Sequence, residues 1–266
     1  VELLRTCVDS LRDRTAYAAY SILVVDNDSR EPAALAYLEE IAADPRVRVH
    51  RRPGPFNFSA FNNEAVALVD TPLVGLVNND IEVITPDWLD EMVSLAARPE
   101  VGAVGAKLLF PGGAIQHGGV VVGFFGVADN AQRGFVDGDT GYQWSAVTVQ
   151  NASAVTAACL VCRTEVYRAV GGLDAENLAV AFNDVDFCLK VRARGLRVLW
   201  TPHARLYHHE SASRAADRSP EARLREDREA RCLAERWDTA RIPDPFYSVN
   251  LNRTGYSHCA FAWPAQ

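Results

Sequence analysis

A chain of 266 residues, 48% hydrophobic and 23% charged, has the balance of an ordinary globular protein, long enough for one large α/β domain or two small ones. Its net charge of −7 argues against nucleic acid as a partner, because nucleic-acid binders present a basic face. No apolar run approaches the roughly 18–20 residues that span a bilayer, and no secretory signal opens the sequence, so a cytoplasmic setting with reduced cysteines is expected.

Leu3, Leu4, Cys7, Val8 and Leu11 recur at helical spacing and predict an opening helix. Ser21-Ile22-Leu23-Val24-Val25 reads as a fully buried strand, closed by the turn formers Asp26-Asn27-Asp28-Ser29. A helix is predicted from about Pro32, where proline suits the first turn, and residues 47–49 form a short strand. Residues 61–69 read as a helix and 73–77 as a strand running into Asn78-Asn79-Asp80-Ile81-Glu82. Thr85-Pro86 opens the next helix, with Thr85 as N-cap and Asp87 favourable to the dipole. Strand and helix alternate in this way to about residue 105, which predicts βαβ units and a parallel sheet.

From Lys107 to Gln150 glycines are dense and helical periodicity is absent, as in an insertion, with 118–123 as a short strand. Order returns with a strand over 154–162, a helix capped by Thr164 and ended by Gly171-Gly172, and a helix over 184–194 stopped by Gly195. Residues 196–200 read as a strand. Residues 220–237 form a charged helix in which Glu221/Arg225 and Arg225/Glu229 fall at i, i+4 and suggest a solvated face. The expected organisation is one domain over 1–215, with a helix and extended tail over 216–266 packed on it.

The chemistry gathers where apolar strands end or helices begin, the edge of an open α/β sheet where ligands bind. Asn78-Asn79-Asp80 offers hard oxygen ligands, which suit Mg²⁺ or Mn²⁺ held with a substrate's phosphates. Asp26-Asn27-Asp28-Ser29 suits a nucleobase edge or a ribose hydroxyl. In both the plain alternative is a polar turn. Asn183-Asp184-Val185-Asp186 opens a helix, where a carboxylate is either a cap or a proton acceptor, roles that do not exclude each other. His208-His209 offers imidazole to a metal or is structural, and Gln116-His117 is either acceptor-side or structural. Cys159-Leu160-Val161-Cys162 has redox spacing but lies in an apolar run without a second ligand pair, and reads as core. Phosphate-loop, dinucleotide, serine-hydrolase and zincin motifs are absent.

In order along the chain, these segments resemble the family 2 glycosyltransferases of the GT-A fold, and within them the bacterial enzymes of O-antigen and surface-polysaccharide assembly. Leu23–Ser29 resembles the family's first nucleotide-binding turn, Phe56–Asn63 the segment leading to its Asn-bearing helix, and Val77–Val83 its D-x-D. Gly171-Gly172-Leu173-Asp174 with Phe182–Cys188 resembles the G-G-F-D segment and the motif of the catalytic base, while 206–214 and 244–247 match the subgroup's tail. The resemblance implies an α/β, Rossmann-like fold with a mainly parallel central sheet flanked by helices, an irregular insertion and a C-terminal helical appendage. It implies inverting transfer of a sugar from a UDP-, dTDP- or GDP-linked donor to a glycan or lipid-linked acceptor, with Mn²⁺ or Mg²⁺. Asp80 and His208 would hold the metal, and Asp184 would be the catalytic base. Asp26, Asn27, Ser29, Asn62, Asn78 and Asn79 would bind the donor, and Asp174, Asp186 and His209 would stand on the acceptor side.

A lipid-linked acceptor would bring the protein to the inner face of the cytoplasmic membrane, in peripheral contact with it. Asn78 replaces the first acid of D-x-D, Asn183 replaces the Glu before the base, and the family's opening strand with its P-x-Y/R turn should precede Val1. The alternative is a catalytically silent GT-A domain that binds glycan, nucleotide or a partner within a larger assembly protein. A sugar-nucleotidyltransferase shares the architecture but would show a Gly-rich phosphate loop.

Overall fold

In the computed structural model, which describes residues 1–209, 219–254 and 260–262, helix and strand alternate as far as residue 109. Helix α1 (Glu2–Arg14) turns Cys7, Val8 and Leu11 inward, β1 (Ile22–Asp26) follows, and α2 (Pro32–Ile41) starts on its proline. Then come β2 (Val47–Arg51), α3 (Phe58–Ala67), β3 (Leu73–Val77), β4 (Ile81–Val83), α4 (Trp88–Ala96) and the wholly buried β5 (Val101–Leu109). The irregular stretch contributes the short strands β6 (Ile115–His117), β7 (Val120–Val122), β8 (Ala128–Asn130) and β9 (Gln150–Asn151). β10 (Cys159–Arg163), α5 (Thr164–Ala169), α6 (Asn183–Ala193), β11 (Arg197–His208) and α7 (Pro220–Trp237) complete the regular elements described.

β1 and β2 pair in parallel as a small sheet of their own. The main sheet runs β3-β10-β5-β11-β4, with β6 added to β5 and β9 to β11. It is mixed, which corrects the mainly parallel sheet expected: only β5 and β11 pair in parallel, while β10 is antiparallel to both neighbours and β4 is antiparallel to β11. β10 arrives from an irregular stretch rather than through the crossover helix a parallel pair needs, and the chain reverses at 78–80 before β4. Strands β3, β5 and β11 therefore point the same way, and their carboxyl ends share an edge with the start of β10. Helices α3, α5, α6 and α7 cover one face through Val66, Tyr167, Phe187 and Leu233, and α1 and α4 cover the other through Leu11, Trp88 and Met92.

Local chemistry moves several boundaries. α3 begins at Phe58 because the Asn57 side chain accepts the Ala60 N–H at 2.8 Å, a cap of about 1 kcal/mol. Thr85 does not cap α4; its hydroxyl takes the Arg205 N–H at 2.9 Å and donates to the His203 carbonyl at 3.2 Å. Thr164 likewise gives its hydroxyl to the Thr71 carbonyl at 2.6 Å. β11 continues well past Trp200, because a register shift between Thr201 and Arg205 absorbs Pro202. Gly195 ends α6 with φ at +79°, as a C-terminal glycine should. Cys159 and Cys162 are buried and free, and burial pushes the Cys162 thiol up to about 12, the behaviour of core packing. Among the described residues no helix is long and apolar enough to cross a membrane.

Candidate active site

At the carboxyl edge the chain leaves β3 through a turn held by the Asn78 N–H on the Ala158 carbonyl, at 2.9 Å. The turn swings Asp80 inward, where it is 5% exposed and no donor among the described residues reaches its Oδ1. His208, the last residue of β11, brings Nε2 to 3.2 Å from that oxygen and 3.4 Å from Asn78 Nδ2. Its other nitrogen, Nδ1, lies 2.6 Å from Gln116 Oε1, and the Gln116 amide donates to the His208 carbonyl at 3.4 Å, which orients it. An amide oxygen only accepts, so Nδ1 carries a proton, and in the neutral ring Nε2 turns its lone pair toward Asp80. As neutral imidazole and carboxylate the two groups therefore form no hydrogen bond, although close, and a shared cation would satisfy both.

Carboxylate oxygen with imidazole nitrogen suits Mn²⁺ better than Mg²⁺. Among the described residues no three His, Cys, Asp or Glu side chains cluster as a complete metal cage. Two protein ligands fit an ion that draws its other oxygens from a bound diphosphate. Sequence reasoning gave Gln116 no part in a metal site, because only the pairing of β6 with β5 brings it under the ring. Replacing it, Gln116→Ala, is expected to lower Mn²⁺ affinity about 10- to 100-fold, read by Mn²⁺ electron paramagnetic resonance titration. Unchanged affinity would show that the ring is oriented without it.

Asp184 stands in the first turn of α6. Its Oδ2 accepts the Ala157 N–H at 3.0 Å and its Oδ1 the Val185 N–H at 2.9 Å. With Asn78, Asp80 and His208 it lines a cavity of about 440 Å³. Sequence reasoning thus named four residues that the fold brings together.

The others lie elsewhere. Asp26 Oδ1 takes the Ser29 N–H at 3.1 Å, and the Asn27 amide donates to the carbonyls of Arg52 at 3.1 Å and Gly54 at 2.9 Å. These bonds knit the end of β1 to that of β2, outside the cavity lining. Asn62 returns its amide to the Phe58 carbonyl within α3, at 2.8 Å, and Asn79 is exposed in the turn. Asp174 and Asp186, expected on the acceptor side, lie outside the cavity lining: Arg236 bridges them at 2.7 and 2.8 Å, and Trp237 Nε1 adds a bond to Asp186 at 2.9 Å. Burial would raise Asp174, but the Asn177 amide and Arg236 outweigh it and hold the carboxyl at about 2. His209, expected on the same side, also lies outside the cavity lining, its Nε2 3.0 Å from Glu82 Oε2. The tail motif continues past His209 into residues 210–214, which lie outside the described residues.

His117 lines the cavity yet has both nitrogens engaged. Nδ1 donates to Asn130 Oδ1 at 2.6 Å and Nε2 accepts the Thr156 N–H at 3.4 Å, which makes the histidine structural. It is 1% exposed, and burial lowers its pKa from 6.5 to about 4. Between those values the unfolded chain binds a proton that the folded chain does not, so stability is full above 6.5 and falls as pH drops to about 4. The expected loss is about 3 kcal/mol, seen as a falling urea midpoint, and His117→Asn should flatten this slope. An equal slope in the variant would place the acid sensitivity elsewhere.

Residues 1–121 match the sequence model of glycosyl transferase family 2. The chain is 51% identical over 252 residues to an uncharacterized protein of Sinorhizobium fredii, y4gI, covering 94% of this chain and 28% of that protein. It is 43% identical over 258 residues to the O-antigen biosynthesis protein RfbC of Myxococcus xanthus, covering 95% of this chain and 20% of that one. The chain thus spans less than a third of the curated relatives it matches. Among solved structures, GalNAc-T7 with UDP, GalNAc and Mn²⁺ aligns with a TM-score of 0.63 at 13% identity, over 77% of this chain and 40% of that one. Mannosyltransferase PcManGT of Pyrobaculum calidifontis, with GDP-Man and Mn²⁺, aligns at 0.58 with 17% identity, over 84% and 56%. At these identities the likeness is one of fold.

Proposed function

We propose that this chain, whose residues 1–121 match glycosyl transferase family 2 and whose fold is of the GT-A type, moves a sugar, with inversion, from a nucleotide-diphosphate donor to a glycan or lipid-linked acceptor. The observation that carries this reading is a cavity in which the Asp80 carboxylate and the His208 imidazole stand 3.2 Å apart beside Asp184. Asp80 and His208 would hold Mn²⁺ or Mg²⁺. Such an ion, when bound, supplies positive charge that neutralises a leaving diphosphate.

The remaining work falls to the chain itself. The acceptor oxygen attacks the anomeric carbon, the bond from that carbon to the phosphate oxygen breaks, and the nucleoside diphosphate departs with the electron pair. Asp184 receives the acceptor's proton, its carboxylate oriented by the N–H groups of Ala157 and Val185. Asn78 would touch the donor from the same wall, and Asp26, Asn27 and Ser29 would meet its base and ribose at the end of β1. Asn62 and Asn79 would stand at the donor's margin. A lipid-linked acceptor would place the reaction at the inner face of the cytoplasmic membrane. Asn78, an amide where the family carries an acid, supports the second reading, a silent domain that binds without transferring.

The two readings separate when the full-length protein is incubated with UDP-, dTDP- and GDP-sugars and Mn²⁺, and donor binding and nucleotide release are measured. Binding with release supports transfer, binding alone supports a silent nucleotide-binding domain, and neither would remove transfer and leave only a silent domain that binds glycan or a partner.

A further inference from the structure

Helix α7 reads in sequence as solvated, with Arg225 and Glu229 paired along its surface. In the fold Glu229 is 1% exposed and points inward. Its Oε1 accepts the N–H groups of Ala179 at 3.1 Å and Val180 at 3.3 Å, and its Oε2 accepts the Ala181 N–H at 2.6 Å. Removing a carboxylate from water is costly unless such donors compensate it. Three successive amides converging on one side chain also fix the backbone that carries them.

That backbone leads directly to Asp184. Ser59 of α3 holds it from the other side, its hydroxyl on the Leu178 carbonyl at 2.6 Å and its N–H on the Ala179 carbonyl at 3.1 Å. Asn183 returns its amide to the Val180 carbonyl at 2.9 Å. Between them Phe182 adopts a left-handed conformation, φ 59°, which is strained for a residue other than glycine and persists only where the surroundings impose it. Beyond Asp184, the same helix grips Asp186 through Arg236 and Trp237. Helix α7 thus holds the chain on both sides of Asp184, and its Glu226 lines the cavity as well.

We propose that Glu229 is a positioning residue for Asp184: its carboxylate imposes the 179–182 conformation that sets the aspartate in the cavity. The inference rests on the reading of Asp184 as the proton acceptor. Glu229→Gln tests it in the full chain, because an amide of the same shape keeps only one acceptor oxygen and sets an NH₂ group against backbone donors. Hydrogen exchange at 179–181 should accelerate about 10-fold or more. Affinity for UDP, dTDP or GDP with Mn²⁺ should stay within about two-fold, while kcat on whichever donor is turned over falls about 10- to 100-fold. Acting through Asp184, the change should add nothing to the residual rate of Asp184→Asn.

Nucleotide affinity and kcat falling together, an unchanged kcat, or additive losses in the double variant would each overturn the proposal and leave Glu229 a structural residue. If Glu229→Gln does not fold, Glu229→Asp, which keeps the charge but is one methylene shorter, is read in the same way. A wild-type protein that turns over no donor would sink the functional reading and this one with it. The exchange measurement would still show whether the clamp holds the loop, so the two failures are distinguishable.

Discussion

Asp184→Asn is expected to leave nucleotide-sugar binding within about three-fold of wild type and to lower transfer about 10²- to 10⁴-fold, the usual contribution of a positioned base. The amide matches the carboxylate in shape, and the segment around it is held independently by Ser59, Glu229 and Asn183. Because Ala157 and Val185 each donate to a different oxygen, the variant must turn its NH₂ group toward one of them. That conflict costs about 1–3 kcal/mol locally, too little to unfold a domain this size. Binding is read by titration calorimetry and transfer by single-turnover release of nucleotide. If both fall equally, Asp184 holds the donor instead of accepting a proton.

Asp80→Ala is expected to abolish the Mn²⁺ dependence of nucleotide binding and to lower transfer about 10³-fold, since metal charge stabilisation amounts to several kcal/mol. The apo protein should unfold at the same temperature as wild type or higher, because the variant removes a buried carboxylate oxygen that no donor satisfies. Opposite signs in stability and activity mark a group kept for its chemistry. A variant that loses stability along with activity would make Asp80 a framework residue, and Mn²⁺ binding unchanged by calorimetry would remove it from the metal site.

Residues whose role follows from their own neighbours were legible in the sequence. The start of helix α7 is one such case, since Ser219 accepts the Ala222 N–H at 3.1 Å and Pro220 occupies the first turn. Asp80 and Asp184 stand out because polar groups close an apolar strand or open a helix, and such ends meet at one edge of a sheet, while His208 gains weight as imidazole for a metal at Asp80. Pairing direction carries no periodicity of its own, so the mixed sheet read as parallel. β11 appeared to stop at Trp200 because a proline within a strand is tolerated only where the ladder is interrupted, and that interruption is a property of the partner strand. Glu229 and Asp186 look like solvated charges on helices; what buries them comes from segments about fifty residues away. His117 and Gln116 illustrate the same limit, for their partners Asn130 and His208 arrive through strand pairing alone.

The place of β10 between β3 and β5 also sets a timetable for synthesis. Both flanking strands are complete by Leu109, but the strand that joins them starts at Cys159. The ribosome therefore displays two apolar edges with no partner between them until the later strand emerges, a state in which nascent chains depend on shielding from one another. His208 is translated later still, at the end of the strand that links β5 to β4, so Asp80 and His208 meet only as the central sheet is completed.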